Sequence, residues 1–347
     1  MFRGPGALAI EAVDEPSAGP GELIVDVRAC AVCGSDLRIL GHGNPRIAPP
    51  RVLGHEIAGE VVAVGDGVEG FALGDRVSTG ADVPCGECGP CRRGRPNNCA
   101  TNLAIGYQWD GGFAERVRLD RRVVAGGPLR RFGPGTSWVA ASLAEPLACC
   151  LNGYEVVGGR PAVEGAEVVI FGAGPIGVML AVLGRAWGAA RVTLVEPLAG
   201  RRASAEPFAD AVLGLEQAEE AVLSATEGRG ADLLFTACPS VEAQEAAVRL
   251  VAVRGAVNLF GGLPSGTRPM ALDSNWLHYR EATLTGSHGS TPAQHAEALR
   301  MIEAGEIDVE SLVTDRVDLD GLVGAMEKAR RGEALKIVVE PNRDCVG

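Results

Sequence analysis

The first eighty residues show an alternation of apolar and polar positions that is typical of β-strands. Residues 22–29 alternate with a period of two, and residues 58–65 do the same before a turn. Residues 73–78 contain a Gly-Asp turn and begin another predicted strand. Gly and Pro interrupt these runs at short intervals, as they do in a small β-barrel. We therefore predict that residues 1–80 are all β.

After residue 166 the pattern changes to strands that alternate with helices. The predicted strands cover residues 167–171, 191–196, 232–236, 255–262 and 281–287, and predicted helices follow the first strand and cover residues 240–251. Short crossovers between such strands imply a parallel sheet with helices on both faces. The remaining residues are predicted to form helices at 292–303 and 320–331 and a terminal strand at 336–340.

The turn after residues 167–171 has the spacing G-x-G-x-x-G. The first glycine makes the turn, the second lets the backbone approach a pyrophosphate, and the third lets the helix pack on the strand. The helix N-terminus also offers free N–H groups to the phosphates. The next strand ends in a glutamate that is placed to bind the ribose hydroxyls of NAD. The predicted cofactor-binding residues are therefore Gly172, Gly174, Pro175, Ile176, Gly177 and Glu196.

The choice between NAD and NADP depends on charge near the ribose. Glu196 would repel a 2′-phosphate, which favours NAD. Arg201 and Arg202 follow closely and could hold such a phosphate, although arginines at a helix N-terminus are also ordinary solvated residues. We predict NAD as the cofactor, with NADP as the alternative, and we keep Arg201 as a candidate cofactor-binding residue.

Four of the ten cysteines form the pattern C-x2-C-x2-C-x7-C, at Cys85, Cys88, Cys91 and Cys99. Glycines and prolines between them let the loop wrap so that four sulfurs reach tetrahedral positions roughly 2.3 Å from one zinc ion. Four thiolates close the site to water and substrate, so its role would be structural. The alternatives are two disulfides, which a reducing compartment disfavours, and an iron–sulfur cluster, which the seven-residue gap disfavours.

A second candidate metal site combines Cys33, Ser35, His55 and Glu56. A thiolate, an imidazole and a carboxylate are a mixed ligand set that zinc accepts, and three protein ligands leave a fourth position open for chemistry. Ser35 could pass a proton between a zinc-bound alcohol and solvent or cofactor. The alternative is that Cys33 is a small buried residue and that His55 is a hydrogen-bonded core residue.

A further carboxylate, Glu145, lies among apolar residues. Because a proline follows it, we predict an extended bend there rather than a helix interior. A buried carboxylate needs a partner, and a metal would be a good one. The next two cysteines, Cys149 and Cys150, are expected to pack in the core.

The composition limits the class of protein and its partners. The length of 347 residues predicts two domains, and the net charge of −12 argues against a nucleic-acid partner. The sequence contains no run of eighteen apolar residues, so no membrane span is predicted. Its first residues also lack the apolar core of a signal peptide. We therefore expect a cytoplasmic protein with unpaired cysteines.

Taken together, the motifs resemble those of the zinc-dependent medium-chain alcohol and polyol dehydrogenases over essentially the full chain. The resemblance is carried by the four-cysteine loop, the glycine turn and the segments at 33–36, 54–59, 111–115, 145–147 and 335–336. It implies an α/β protein with a GroES-like β-barrel catalytic domain and a Rossmann domain built on a doubly wound parallel sheet. The implied divisions are residues 1–149 with both zinc sites, 150–286 for NAD, and 287–347 returning to the catalytic domain. The active site would lie in the cleft between the domains.

The resemblance also implies roles for individual residues. Cys33 and His55 match the catalytic zinc ligands, and either Glu56 or Glu145 completes the shell. The ethanol-type enzymes have a cysteine at the position of Glu145. A glutamate there resembles the branch of the family that includes the sorbitol and threonine dehydrogenases. Ser35 matches the proton-relay hydroxyl, and Lys336 matches a basic residue near the pyrophosphate. Many relatives carry a relay histidine where this chain has Arg38, which leaves the route of proton exit open; His42 is nearby.

The predicted function is hydride transfer between a secondary alcohol and NAD(P), with one catalytic and one structural zinc ion per subunit. The catalytic assignments are Ser35, Glu56 and Glu145. A polyol is the leading substrate, and threonine, a sugar phosphate or an aminocyclitol are alternatives; Leu40, Tyr107, Gln108 and Trp109 are candidates for the pocket. A zinc-free alkene reductase and a non-catalytic nucleotide-binding relative are the competing classes. We expect a homodimer or homotetramer, with no nucleic acid or membrane partner.

Overall fold

The computed structural model describes residues 1–342, which form two compact units. The first contains Met1–Ala148 together with the segment that begins at Gly289, and the second is Cys149–His288. Cys345 lies outside the described residues. Within residues 1–342, every helix is too short or too polar to span a lipid bilayer.

Seventeen strands are present in the described residues. In chain order they are β1 (Phe2–Gly4), β2 (Ala7–Leu8), β3 (Leu23–Ala31), β4 (Glu56–Val64), β5 (Arg76–Thr79), β6 (Asp82–Val83), β7 (Leu103–Ala104), β8 (Arg116–Leu119), β9 (Leu129–Arg131), β10 (Glu167–Phe171), β11 (Arg191–Val195), β12 (Ala211–Leu213), β13 (Ala231–Thr236), β14 (Val251–Leu259), β15 (Thr283–Gly286), β16 (Val313–Val317) and β17 (Lys336–Val339).

Thirteen α-helices accompany them in the described residues. They are α1 (Gly34–His42), α2 (Gly89–Arg92), α3 (Arg121–Gly126), α4 (Trp138–Ser142), α5 (Ala144–Glu155), α6 (Arg160–Val163), α7 (Pro175–Ala186), α8 (Ala199–Ala205), α9 (Leu215–Ala225), α10 (Val241–Arg249), α11 (Ser274–Arg280), α12 (Pro292–Glu303) and α13 (Leu322–Arg330). Short 3₁₀ turns occur at Pro96–Asn98, Glu206–Phe208 and Glu310–Leu312.

The first unit is built on a seven-stranded sheet in the order β16-β17-β3-β4-β5-β9, with β8 also paired to β3. Its apolar side chains form one core that includes Leu23, Val25 and Ile57. The strand β17 lies antiparallel to β3, with Val338 opposite Ala31, although the two strands are far apart in sequence. The last strand of the described residues is therefore part of the same sheet as β3.

The second unit contains a six-stranded sheet in the order β12-β11-β10-β13-β14-β15, and every pair in it is parallel. The two halves of this order run outward from the central strand β10, which is the arrangement of a doubly wound dinucleotide-binding sheet. Strands buried on both faces read as continuous apolar runs, and residues 168–171 are all buried. The parallel sheet predicted from the sequence is confirmed.

Two local predictions were wrong. Residues 34–42, which lie in the region predicted to be all β, form the helix α1. Glu145 and Pro146 lie in the first turn of the helix α5 rather than in an extended bend. A proline is tolerated there because the first N–H groups of a helix have no partner inside the helix.

Candidate functional site

Donor atoms from Cys33, His55 and Glu56 lie within 4.8 Å of one another. Cys33 is the residue before α1, where its backbone N–H donates to Asp36 Oδ2 at 2.9 Å. His55 immediately precedes β4, and Glu56 is the first residue of that strand. Two adjacent elements of the first unit therefore bring a thiol, an imidazole and a carboxylate together.

The imidazole of His55 is held between two neighbours on α1. Its Nε2 lies 3.2 Å from Ser35 Oγ, and its Nδ1 lies 3.5 Å from Asp36 Oδ1. Burial lowers the pKa of His55, but the Asp36 carboxylate and Cys33 act in the opposite direction, and the resulting pKa lies well above its ordinary value. Asp36 was not singled out from the sequence as a partner of His55. Its position three residues after Cys33, where an acid caps a helix, was the available signal.

Lys336 makes a buried ion pair with Glu56. Its Nζ lies 2.6 Å from Glu56 Oε2 and donates to the Val32 carbonyl at 3.0 Å. The side chains of Lys336 and Glu56 are only 2% and 1% exposed. The sequence resemblance implied a role for Lys336 near the pyrophosphate, but its ammonium is committed to partners inside the first unit.

Glu145 lies at the start of α5 and is buried, but it is not one of the three donors within 4.8 Å of one another. Burial raises the pKa of Glu145 to about 7, against an opposing effect of His55. A side chain added at Gly80 would lie 3.2 Å from Glu145 Cγ and 3.3 Å from His295 Nδ1, so both residues border the same small space. His295 was not identified from the sequence.

The three donors fit a zinc ion by their chemistry. The Glu56 carboxylate is buried, its Oε2 lies 2.6 Å from Lys336 Nζ, and its Oε1 has no hydrogen-bond partner among the described residues. A cation bound at that oxygen would stabilise the buried anion further. Sulfur, nitrogen and oxygen from three side chains also leave one coordination position of a tetrahedral zinc free.

The four cysteines of the loop at 85–99 come together as their spacing predicted. Cys88 Sγ lies 3.4 Å from Cys91 Sγ and 3.8 Å from Cys99 Sγ. Sulfurs bound tetrahedrally at about 2.3 Å from zinc are separated by about 3.8 Å, so the cluster has the size of a Cys₄ zinc site. Hydrogen bonds from the backbone of Glu87 and Cys88 lower the pKa of Cys85 to about 6, which favours the thiolate that a metal needs.

The glycine turn of the second unit connects β10 to α7 as its spacing predicted. Gly172 has a φ of 103°, in the region that favours glycine, and a side chain at Gly177 would lie 1.8 Å from the Gly172 carbonyl oxygen. A side chain added at Gly174 would meet no described atom within 4 Å. The turn therefore leaves open space at the N-terminus of α7, as a bound pyrophosphate requires.

Glu196 follows β11 and is 3% exposed. Its carboxylate accepts hydrogen bonds from the backbone N–H groups of Ala173 and Leu198, both at 3.0 Å. Arg202 donates to the carbonyls of Glu196 and Pro197. Among residues 1–342, Arg201 has no hydrogen-bond or ion-pair partner. The carboxylate thus lies beside the glycine turn, where it also stabilises the turn itself.

Of the other residues considered for the substrate pocket, Tyr107 lies near the metal donors. Its ring centroid is 5.9 Å from that of His55. Arg38 and His42, considered for proton exit, are exposed on α1. Cys150 is buried in α5, as expected for a packing residue, and its Sγ lies 3.9 Å from the Ile176 carbonyl.

Comparison with known proteins identifies residues 19–128 as an alcohol dehydrogenase GroES-like domain and residues 175–304 as part of a zinc-binding dehydrogenase. L-threonine 3-dehydrogenase from Pyrococcus horikoshii is 33% identical over 344 residues, which cover 96% of this chain and 95% of the relative. D-altritol 5-dehydrogenase from Agrobacterium fabrum is 35% identical over 308 residues, which cover 88% of this chain and 87% of the relative.

Among solved structures, a zinc-binding dehydrogenase from Sinorhizobium meliloti 1021 bound to NADP matches with a TM-score of 0.88 and 31% identity. The match covers 97% of this chain and 96% of that one. These likenesses extend over both units and confirm the family expected from the motifs. The chain belongs to the zinc-dependent medium-chain alcohol dehydrogenases, a family of oxidoreductases that combine a GroES-like domain with a Rossmann-type parallel sheet.

Proposed function

We propose that the chain oxidises a secondary alcohol of a polyol with NAD, using a zinc ion held by Cys33, His55 and a glutamate. The observation that carries this proposal is the convergence of a thiol, an imidazole and a carboxylate within 4.8 Å, with a serine hydroxyl beside the imidazole. A zinc ion held by these residues would supply Lewis acidity toward the substrate hydroxyl, and a bound nicotinamide would supply the hydride acceptor.

Ser35 is proposed to move the alcohol proton at its Oγ. The hydroxyl lies 3.2 Å from His55 Nε2. A hydroxyl both accepts and donates a proton, so Ser35 can take one from the substrate and give one onward without a lasting change in charge. Arg38 and His42 are exposed and are not part of this first step.

Glu56 and Glu145 both remain candidates for the third ligand and for a catalytic carboxylate. Glu56 is already close to Cys33 and His55, but the Lys336 ammonium neutralises part of its charge. Glu145 carries a raised pKa because it is buried, and a cation nearby would bring that pKa down. We propose that Glu56 is the ligand before substrate binds and that Glu145 competes with it.

The cofactor and the second metal ion follow the same reasoning. NAD is proposed because the Glu196 carboxylate lies next to the glycine turn, where it would repel a 2′-phosphate. The unpaired Arg201 is the residue that would favour NADP instead. A second, structural zinc ion is proposed for the four cysteines of the loop. The expected cytoplasmic location and homo-oligomeric state stay predictions.

A polyol is proposed because the D-altritol enzyme is a relative at 35% identity. L-threonine is the second candidate, since a threonine dehydrogenase is 33% identical over nearly the whole chain. The test is a panel of sorbitol, D-altritol and L-threonine, each with NAD and with NADP, on protein assayed for zinc. Reduced cofactor and two zinc ions per subunit are expected. A zinc-loaded protein that reduces neither cofactor with any alcohol of the panel would overturn the proposal.

A further inference from the structure

The loop between α1 and β4 brings an arginine to the neighbourhood of the metal donors. The Cζ atom of Arg46 lies 5.2 Å from the centroid of the Tyr107 ring, and that ring is 5.9 Å from the His55 ring. Ser35 Oγ in turn lies 3.2 Å from His55 Nε2. Arg46 therefore stacks on an aromatic ring that borders the imidazole beside the proposed proton-transfer hydroxyl.

Contacts within the first unit hold Arg46 in this position. Its backbone N–H donates to Asn44 Oδ1 at 2.9 Å, and its Nη2 donates to the Asn102 carbonyl at 3.3 Å. The ring face of Tyr107 supports the guanidinium group by a cation–π interaction. The side chain is thus fixed before any ligand binds, which reduces the entropy that a ligand would have to offset.

The charge of Arg46 is not neutralised by the protein. No carboxylate among residues 1–342 lies within 4.0 Å of its guanidinium nitrogens, although the chain has 44 acidic residues and a net charge of −12. Only one of its five N–H donors has a partner in the described residues. A half-buried guanidinium that is held rigidly and left unpaired in an acidic protein is suited to bind an oxyanion.

We propose that Arg46 binds a negatively charged group of the substrate, a carboxylate or a phosphate, and so determines specificity. The inference rests on the alcohol oxidation proposed above, and among its candidate substrates it favours an alcohol that carries an anionic group over an uncharged polyol. The Arg46 Cζ atom is 5.2 Å from the Tyr107 ring centroid, and that centroid is 5.9 Å from the His55 ring centroid, so Cζ lies at most about 11 Å from the His55 ring. An extended chain advances about 3.5 Å for every three bonds. An alcohol of about four to six carbons, together with its contacts at each end, can therefore reach from the metal donors to Arg46.

The test compares substrates with and without the anionic group. L-threonine is paired with L-threoninamide, which keeps the ammonium but has no carboxylate, and sorbitol 6-phosphate with sorbitol, so the two arms separate a carboxylate from a phosphate. The variants are Arg46→Gln and Arg46→Lys. The matched control is Arg122→Gln, because Arg122 donates to the neighbouring Thr101 carbonyl but does not stack on Tyr107. Zinc content and thermal unfolding are measured for each variant.

The wild-type protein is expected to favour the member that carries the carboxylate or phosphate in at least one pair. Arg46→Gln should raise KM for that substrate by about tenfold to a hundredfold, as expected for a charged hydrogen bond. It should leave kcat, and KM for the partner without the anionic group, within about twofold. Arg46→Lys should recover part of the loss, since it restores the charge without the planar fork. Arg122→Gln should behave as the wild type.

Two outcomes would overturn the inference while the proposed function stands. One is a wild-type enzyme that oxidises alcohols with no preference for the member that carries the anionic group. The other is an Arg46→Gln variant that loses the same factor on both members of a pair. Arg46 would then act only by holding the loop through its hydrogen bond to the Asn102 carbonyl. If the wild type oxidises no member of either pair or of the wider alcohol panel, the proposed function itself fails.

Discussion

Lys336 Nζ lies 2.6 Å from Glu56 Oε2, and both side chains are almost completely buried. The two residues come from strands at opposite ends of the described chain, β17 and β4, which are both paired to β3. The ion pair therefore links the last strand of the sheet to a proposed metal ligand. Because solvent screens neither charge, each charged group is stabilised by the other.

Replacing Lys336 by Met should destabilise the protein by about 3–5 kcal/mol, because it leaves the Glu56 carboxylate buried without its counter-charge. The double variant Glu56→Gln/Lys336→Met should lose much less than the sum of the two single variants, since it removes both charges. Urea unfolding of the zinc-free proteins measures these differences, because a zinc ion at Cys33, His55 and Glu56 would itself neutralise the carboxylate. Strictly additive losses would mean that the two groups do not stabilise each other.

Replacing Cys88 by Ser should reduce the zinc content by one ion per subunit, because three thiolates bind zinc less firmly than four. The loop at 85–99 should then be cleaved more readily by a protease, since the metal proposed there links its ends. Metal analysis and limited proteolysis test both points. Cys150→Ala is the control, because Cys150 is buried in α5 and should leave the zinc content unchanged. Full zinc content in the Cys88 variant would contradict a structural site.

Replacing Ser35 by Ala should lower kcat by about a hundredfold or more, the usual contribution of a positioned proton-transfer group. KM for NAD and the zinc content should stay unchanged, because Ser35 is proposed to bind neither. Ser35→Thr keeps the hydroxyl and should retain most of the activity. Steady-state rates measured across pH test whether Ser35 transfers the proton. A Ser35→Ala enzyme with the wild-type kcat would exclude Ser35 as the proton relay.

His295 should make stability depend on pH. Burial, with a further effect of Arg130, lowers the pKa of His295 to about 4 from an ordinary value of 6.5. Between these values the unfolded chain binds a proton that the folded protein does not, so this contribution is complete above pH 6.5 and is lost as the pH falls toward 4. It amounts to about 3 kcal/mol at most.

Urea unfolding at pH 7 and pH 5 tests this effect. The wild type should lose about 2 kcal/mol more than His295→Gln over this interval, because glutamine does not titrate. Comparing the two proteins cancels the effects of other groups that titrate in the same range. Equal losses in both would show that His295 becomes protonated in the folded state as readily as in the unfolded one.

The features that were predictable from the sequence are those set by short-range spacing. The four cysteines and the glycine turn each lie within one short segment, so their residue types and intervals define their geometry. The parallel sheet was also predictable, because strands buried on both faces appear as apolar runs separated by helices. Periodicity missed α1, which contains glycines at positions 34 and 41 that disfavour a helix.

The relationships that were not predictable join residues far apart in the chain. Lys336 donates to the Val32 carbonyl across 304 positions, and His295 lies 3.3 Å from Ser78 Oγ across 217 positions. Such pairs depend on how the sheet is assembled, which no local pattern contains. The stacking of Arg46 on Tyr107 was missed for the same reason, because neither residue belongs to a motif.

The interrupted sequence of the first unit has a consequence for synthesis on the ribosome. Cys149–His288 forms its own compact unit, so it can fold as soon as it has emerged. Lys336 follows Glu56 by 280 positions. The edge of β3 and the Glu56 carboxylate must therefore wait roughly 14–56 seconds for Lys336–Val339 at about 5–20 residues per second. During that interval an unpaired strand edge and an unpaired charge are exposed to the cell. The unit that holds the metal donors is thus the first to be started and the last to be completed.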